Sequence, residues 1–219
     1  MPGASRDTWG MSSQSGPGAE APTAMRVRLR IFSWTASSSS NAAVKTQAAA
    51  SAPKPATASK KKILVAYFSA TGSTKAVAET AAQTLHADLF EITPAQPYTD
   101  ADLDYRDDAS RVSKEHNDPN RHTELQNPTP PNFSSYDVVL VGAPIWWHEA
   151  AWPINDFLTK NDFTGKTVVP FVTSYSDPLG DSGKKMEALA GTGNWQEGMR
   201  FKGRGSQDEI EAWAKGLKF

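Results

Sequence analysis

The chain has 219 residues, no cysteine and a formal net charge of −1. That length suits one ordinary domain with residues to spare, and the missing cysteine excludes disulfides, cysteine-ligated zinc or iron–sulfur centres and thiol catalysis. The near-neutral total conceals two unlike parts: residues 1–62 carry a net of +7 and residues 63–219 a net of −8.

Residues 1–61 are rich in Ser, Ala, Gly, Pro and Thr and poor in large apolar side chains. Such a segment cannot bury enough surface to offset the entropy of ordering, so disorder is expected. There is no acid between Glu20 and Glu79, and Arg26, Arg28 and Arg30 cluster. Organelle transit peptides share this bias, but no apolar core of about 7–15 residues accompanies it. A linker or upstream extension and a cytoplasmic setting are expected, with a targeting sequence as the alternative. No apolar run approaches the ~18 residues of a membrane span. Lys60-Lys61-Lys62 reads as a solvated lead-in, too short for a nucleic-acid patch.

The folded part is expected over 62–219. Ile63 to Phe68 is nearly continuously apolar, the pattern of a strand covered on both faces. It ends in Ser69-Ala-Thr71-Gly72-Ser73-Thr74, and Lys75 to His86 reads as a helix with Val77, Ala81 and Leu85 on one face. A buried strand, a hydroxyl-rich turn and a helix start make an anion site, because free amides and the helix dipole converge there. A phosphate is the expected occupant. The loop is not the Gly-x4-Gly-Lys-Ser/Thr of nucleoside-triphosphate sites, and its single glycine fails the dinucleotide fingerprint. Its hydroxyls suit a terminal monophosphate, with no obligatory counter-cation.

Residues 87–92 form a second strand. The stretch 95–135 is long, polar and proline-rich, a functional excursion or a mobile one. Asp100, Asp102 and Asp104 begin like a calcium loop, but Tyr105 and Arg111 stand where Gly and Glu are required. No metal is expected, and His116 and His122 read as surface histidines. Tyr136 to Gly142 is the clearest strand. It runs into Pro144-Ile145-Trp146-Trp147-His148, where two tryptophans offer an aromatic wall to a planar ligand or serve as packing. His148 is the candidate proton donor. A helix over 153–161 follows, then a strand over 167–173 in which Pro170 must fall where its absent N–H is tolerated. The polar loop Ser174–Gly183, a helix over 184–190, a strand over 198–203 and a helix from Asp208 complete the chain, with Trp213 in the core. Strands alternating with helices imply a parallel sheet with helices on both faces. Ligands then bind beyond the carboxyl ends of the strands, where the loops 69–74, 144–148 and 174–183 converge.

Ser69-x-Thr71-Gly72-x-Thr74 after a buried strand resembles the phosphate loop of flavodoxins. Gly142-x-Pro144-Ile145-Trp146-Trp147 resembles the second flavin loop of one flavodoxin-like branch, as do Asp88-Leu-Phe-Glu-Ile-x-Pro94 and the polar excursion from Pro97-Tyr98. The likeness spans about 62–219. It implies a flavodoxin-like, doubly wound α/β fold with five parallel strands in order 2-1-3-4-5, binding FMN. Ser69, Thr71, Gly72, Ser73 and Thr74 would take the phosphate. Pro144, Ile145, Trp146 and Trp147 would line the ribityl chain and ring, and Ser174 and Tyr175 would meet the pyrimidine edge. The third loop departs from the branch: where it is glycine-rich, this chain has Ser174-Tyr175-Ser176-Asp177-Pro178. Either Tyr175 stacks on the ring, or the loop holds FMN weakly or not at all. The implied functions are electron transfer between redox partner proteins, or NAD(P)H-dependent reduction of a quinone-like acceptor. The alternative is a flavin-free interaction module.

Overall fold

The computed structural model describes residues 60–219. The expectation of disorder for 1–61 falls, apart from its last two residues, outside them. Strand β1 (Ile63–Tyr67) is followed by helix α1 (Ser73–Leu85), β2 (Asp88–Glu91), α2 (Arg111–Asn117), β3 (Val138–Trp146), β4 (Glu149–Ala150), α3 (Asn155–Lys160), β5 (Thr167–Ser174), α4 (Ser182–Ala190), β6 (Asn194–Trp195), β7 (Met199–Lys202) and α5 (Gln207–Gly216).

The sheet runs β2-β1-β3-β5-β6, with β7 also on β5, and all these pairings are parallel. The expected order of five parallel strands holds if β6 and β7 are taken as one interrupted fifth strand. Alternate side chains of the strands enter two cores. Leu64, Ala66, Val139, Val141 and Val168 meet Phe157, Leu158 and Met186 of α3 and α4. Val65, Tyr67, Val138, Leu140 and Phe171 meet Val77, Ala81 and Ile210 of α1 and α5. Both faces are therefore covered, which is why β1, β3 and β5 read as apolar runs rather than as alternating ones.

The interruption in the fifth strand has a cause in the fourth. β6 pairs with Thr167 and Val168, β7 with Phe171 to Ser174, and Pro170 lies opposite the break. A proline offers no N–H to a neighbour, so the ladder cannot continue past it. Gly198 fills the gap: a Cβ there would lie 2.8 Å from the Pro170 carbonyl oxygen.

The excursion carries structure that its sequence concealed. Helix α2 is capped by Ser110, whose hydroxyl accepts from the Ser113 N–H, and it buries Val112. Glu115 of α2 accepts from Tyr98 Oη (2.6 Å), Trp152 Nε1 (2.8 Å) and Arg111 Nε (2.7 Å). At the start of the excursion, the Thr99 N–H and then its hydroxyl hold the Asp102 carboxyl below the usual carboxylate range. The segment is a folded flap tied to the domain.

Three phenols have raised pKa values. Burial pushes Tyr136 up to about 12, reinforced by its hydrogen bond to Asp88. Burial first, then Glu91, raises Tyr67, and burial first, then the bond to Glu115, raises Tyr98. Above pH ~10 the unfolded chain ionises its tyrosines while the fold keeps these three protonated, so the native state binds more protons and stability falls. Each such phenol should remove about 1.4 kcal/mol per pH unit between pH ~10 and its own folded pKa. Urea midpoints at stepped pH should show the decline, and Tyr136→Phe should remove about a third of its slope. A midpoint constant through pH ~11 would contradict the assignment.

Candidate functional site at the carboxyl ends of the strands

The β1–α1 loop ends at Gly72, which has φ +82° and forms the N-cap of α1. Four hydroxyl residues stand in or beside this turn, yet no side chain caps α1 and no acid lies in its first turn. Helices α2 and α5, by contrast, are capped by Ser110 and Ser206. The first amides of α1 are thus left available. The Ser69 hydroxyl is buried without a hydrogen-bond partner. Thr74 is buried and shares a 2.8 Å hydrogen bond with Thr173 Oγ1 of β5. That bond ties the first loop to the strand that carries the third.

A cleft of about 570 Å³ opens here, within the range of small-molecule sites. Of the residues expected from sequence, Thr71, Ser73, Pro144, Ile145, Trp146, Trp147, Ser174 and Tyr175 line it. Ser69, Gly72 and Thr74 are not on its wall; they form the underlying turn. The flap adds Leu103, Tyr105 and Val112, and the turn after β7 adds Gly203. A functional excursion was one expectation for 95–135, but neither these residues of it nor Gly203 were expected at the cleft. Five prolines, six aspartates and little periodicity across 95–135 hid the flap residues.

The second loop is a hairpin. β3 extends beyond the sheet, and Trp146 pairs with Glu149 of β4. Trp147 and His148 form the two-residue turn, with φ +46° and +65°. Such turns need positive φ at both positions, normally supplied by Asn and Gly. Trp and His in this region cost about 1–3 kcal/mol each, a strain that persists only because surrounding contacts fix the turn. Its indole stacks on His116 at 4.4 Å and 11°. His116 is therefore not the free surface histidine expected: it is partly buried, and α2 uses it to cover the turn. The two tryptophans differ in role. Trp146 is enclosed edge-on by Phe68 (5.5 Å), Tyr98 (5.4 Å) and Trp152 (4.9 Å), so it packs as well as lines.

The third loop is fixed by polar contacts in place of glycines. Ser174 Oγ accepts from the Asp177 N–H (2.8 Å), and Arg200 donates to the Asp177 and Tyr175 carbonyls (both 3.1 Å). Asp177 also meets His148 Nδ1 at 2.6 Å, joining the second and third loops at their tips. The candidate proton donor thus has a carboxylate partner. Tyr175 is 77% exposed and its ring rests against Gly203, where a Cβ would come within 3.0 Å. No group of acidic, histidine or cysteine side chains among the described residues is arranged to hold a metal ion, and no helix among them is long and apolar enough to cross a membrane.

Comparison with known proteins agrees with this architecture. The flavodoxin family's model matches residues 62–217. A candidate flavoprotein from Bacteroides eggerthii DSM 20697 is 42% identical, over 72% of this chain and 99% of its own, with a TM-score of 0.65. One from Bacteroides uniformis ATCC 8492 is 39% identical, over 71% and 98%, with a TM-score of 0.66. A flavoprotein from Lactobacillus acidophilus NCFM, solved in complex with FMN, is 24% identical over 70% and 99%, with a TM-score of 0.51, a likeness of fold. No curated protein matches. The strand order, the loop chemistry and these matches agree: over residues 62–217 the chain belongs to the flavodoxin family.

Proposed function

We propose that the chain is an FMN-dependent oxidoreductase that reduces a small planar, quinone-like acceptor at the expense of NAD(P)H. The observation that carries the FMN reading is the phosphate end of the cleft: an uncapped α1 above a buried Ser69 hydroxyl that lacks a partner. An unpaired buried hydroxyl costs about 1–3 kcal/mol unless a ligand satisfies it. A phosphate oxygen can do so, and the residues present fit the group. FMN, when bound, supplies the electron and hydride chemistry.

The protein's own residues then have assignable tasks. The α1 amides, Ser69, Thr71 and Ser73 bind the phosphate. Pro144, Ile145, Trp146 and Trp147 line the chain and ring, and Ser174 and Tyr175 border the far edge. Leu103 and Val112 of the flap exclude water. His148, held by Asp177, stands at the rim where a reduced acceptor would take up a proton. The flap wall supports a small acceptor over a bulky one. A second reading, electron carriage between proteins, is favoured by the net −8 of residues 63–219, which would steer the domain to basic surfaces.

Titration of the purified chain with FMN, followed by quenching of flavin fluorescence, tests the cofactor. Ser69→Ala should weaken binding by about 1.5 kcal/mol, the loss of one hydrogen bond to a charged group. A colourless protein with no quenching would leave the flavin-free interaction module as the surviving reading. Steady NAD(P)H oxidation that requires a quinone would favour the enzyme; its absence in a flavin-loaded protein would favour the carrier.

A further inference from the structure

β7 ends in a tight turn, Lys202-Gly203-Arg204-Gly205, closed by a hydrogen bond from the Gly205 N–H to the Lys202 carbonyl (3.0 Å). Gly203 has φ +57° at the first central position. There a residue with a side chain would be strained, and a Cβ would also strike Tyr175. The Gly203 N–H donates to the Ser174 carbonyl (3.1 Å), so the turn is tied to the carboxyl end of β5. This arrangement sets Arg204 beside the β1–α1 loop: its Nη2 lies 3.7 Å from where a Cβ of Gly72 would stand. Gly72, with no side chain, leaves that space open.

Arg204 takes part in none of the ion pairs among the described residues. The loop's own cation, Lys75, is turned away to Glu91 at 3.3 Å. The surrounding domain carries net negative charge, which disfavours an anionic ligand. A guanidinium placed over the N-cap of α1 offsets this locally, and its planar fork matches phosphate oxygens. We propose that Arg204 is a specificity-determining residue that selects phosphorylated flavin over riboflavin by supplying the positive charge the loop itself does not direct at the phosphate. This rests on the FMN reading and adds to it a residue from the far end of the chain, which the motif in the first loop does not contain.

The test is a pair of titrations, with FMN and with riboflavin, of the full apo chain and of Arg204→Gln and Arg204→Lys. At low salt Arg204→Gln should weaken FMN about tenfold, as for a screened charge-assisted hydrogen bond, and leave riboflavin unchanged. Arg204→Lys should recover part of the loss by keeping the charge without the fork. The gap between wild type and Arg204→Gln should narrow as salt rises. The side chain is exposed, so an unchanged urea midpoint is expected and serves as the folding control. Equal weakening of both flavins, unchanged FMN affinity, or a wild type that binds riboflavin as tightly as FMN would overturn the role of Arg204. A wild type that binds neither flavin would overturn the FMN reading itself, and this role with it.

Discussion

Replacing Gly142 with alanine should destabilise the domain by about 3 kcal/mol, the upper part of the range for overpacking a well-filled core. Gly142 pairs with Tyr67 on one side and with Phe171 on the other. The Phe171 ring lies across it, so a Cβ would stand 2.1 Å from Cζ and 2.5 Å from Cε2. The ring cannot easily withdraw, because Phe201 (6.4 Å) and Trp213 (5.8 Å) pack edge-on against it. Either the aromatic group shifts or β3 does, and β3 leads directly into Pro144 and the Trp147 hairpin. Urea denaturation should report the loss, and FMN affinity should fall with it. Phe171→Leu should restore part of the stability in the double variant, a non-additivity that only contact between the two positions produces. A wild-type midpoint in Gly142→Ala would show that the strand accommodates the methyl group.

Glu115→Ala should cost about 3–5 kcal/mol, as expected when one partner of a part-buried ionic cluster is removed. The carboxylate collects a phenol, an indole N–H and a guanidinium from three stretches of the chain. Its loss leaves the Trp152 N–H inside the fold with its partner gone, and the Tyr98 hydroxyl with only a 3.4 Å contact to Thr123 Oγ1. Because α2 has seven residues and buries one apolar side chain, little else keeps it in place. The flap should open before the domain melts, and His116 should leave the Trp147 indole. Limited proteolysis should cut within 95–135 under conditions in which the wild type is resistant. Glu115→Gln, which keeps an acceptor, should show a smaller version of both effects. Unaltered cleavage together with a midpoint shift under about 1 kcal/mol would remove Glu115 from this role.

What the sequence made legible was local. The step from an apolar run to small hydroxyl residues at Ser69 marks a strand end, and the alternation of such runs with helical faces gives the parallel sheet. The resemblance to flavodoxins then supplied the order of strands, which composition does not encode. Three features escaped. Helix α2 has one buried apolar residue, Val112, so no periodicity announces it, although Ser110 supplies a cap. The broken fifth strand depends on Pro170, whose effect falls on a neighbour distant in sequence. Arg204 has no local signature beyond the glycines on either side, and its meaning arises only when β7 is laid beside β5. Readings of single residues fared unevenly for the same reason: Trp213 packs against Phe171 and Phe201 as its helical face implied, whereas the burial of His116 required knowledge of the hairpin opposite.

The gap that Pro170 imposes has a consequence for how this domain meets copies of itself. A sheet rim with an unbroken row of peptide groups invites a foreign strand to add on. Here the rim formed by β6 and β7 is cut at Gln196–Gly198, so an incoming chain would find two short, separate docking rows. The opposite rim, β2, is four residues long, with Asp88 and Glu91 exposed at its ends. Neither side presents a template for edge-to-edge polymerisation, so a domain built from parallel strands of high β-propensity is guarded against amyloid-like growth by one imino acid and two carboxylates.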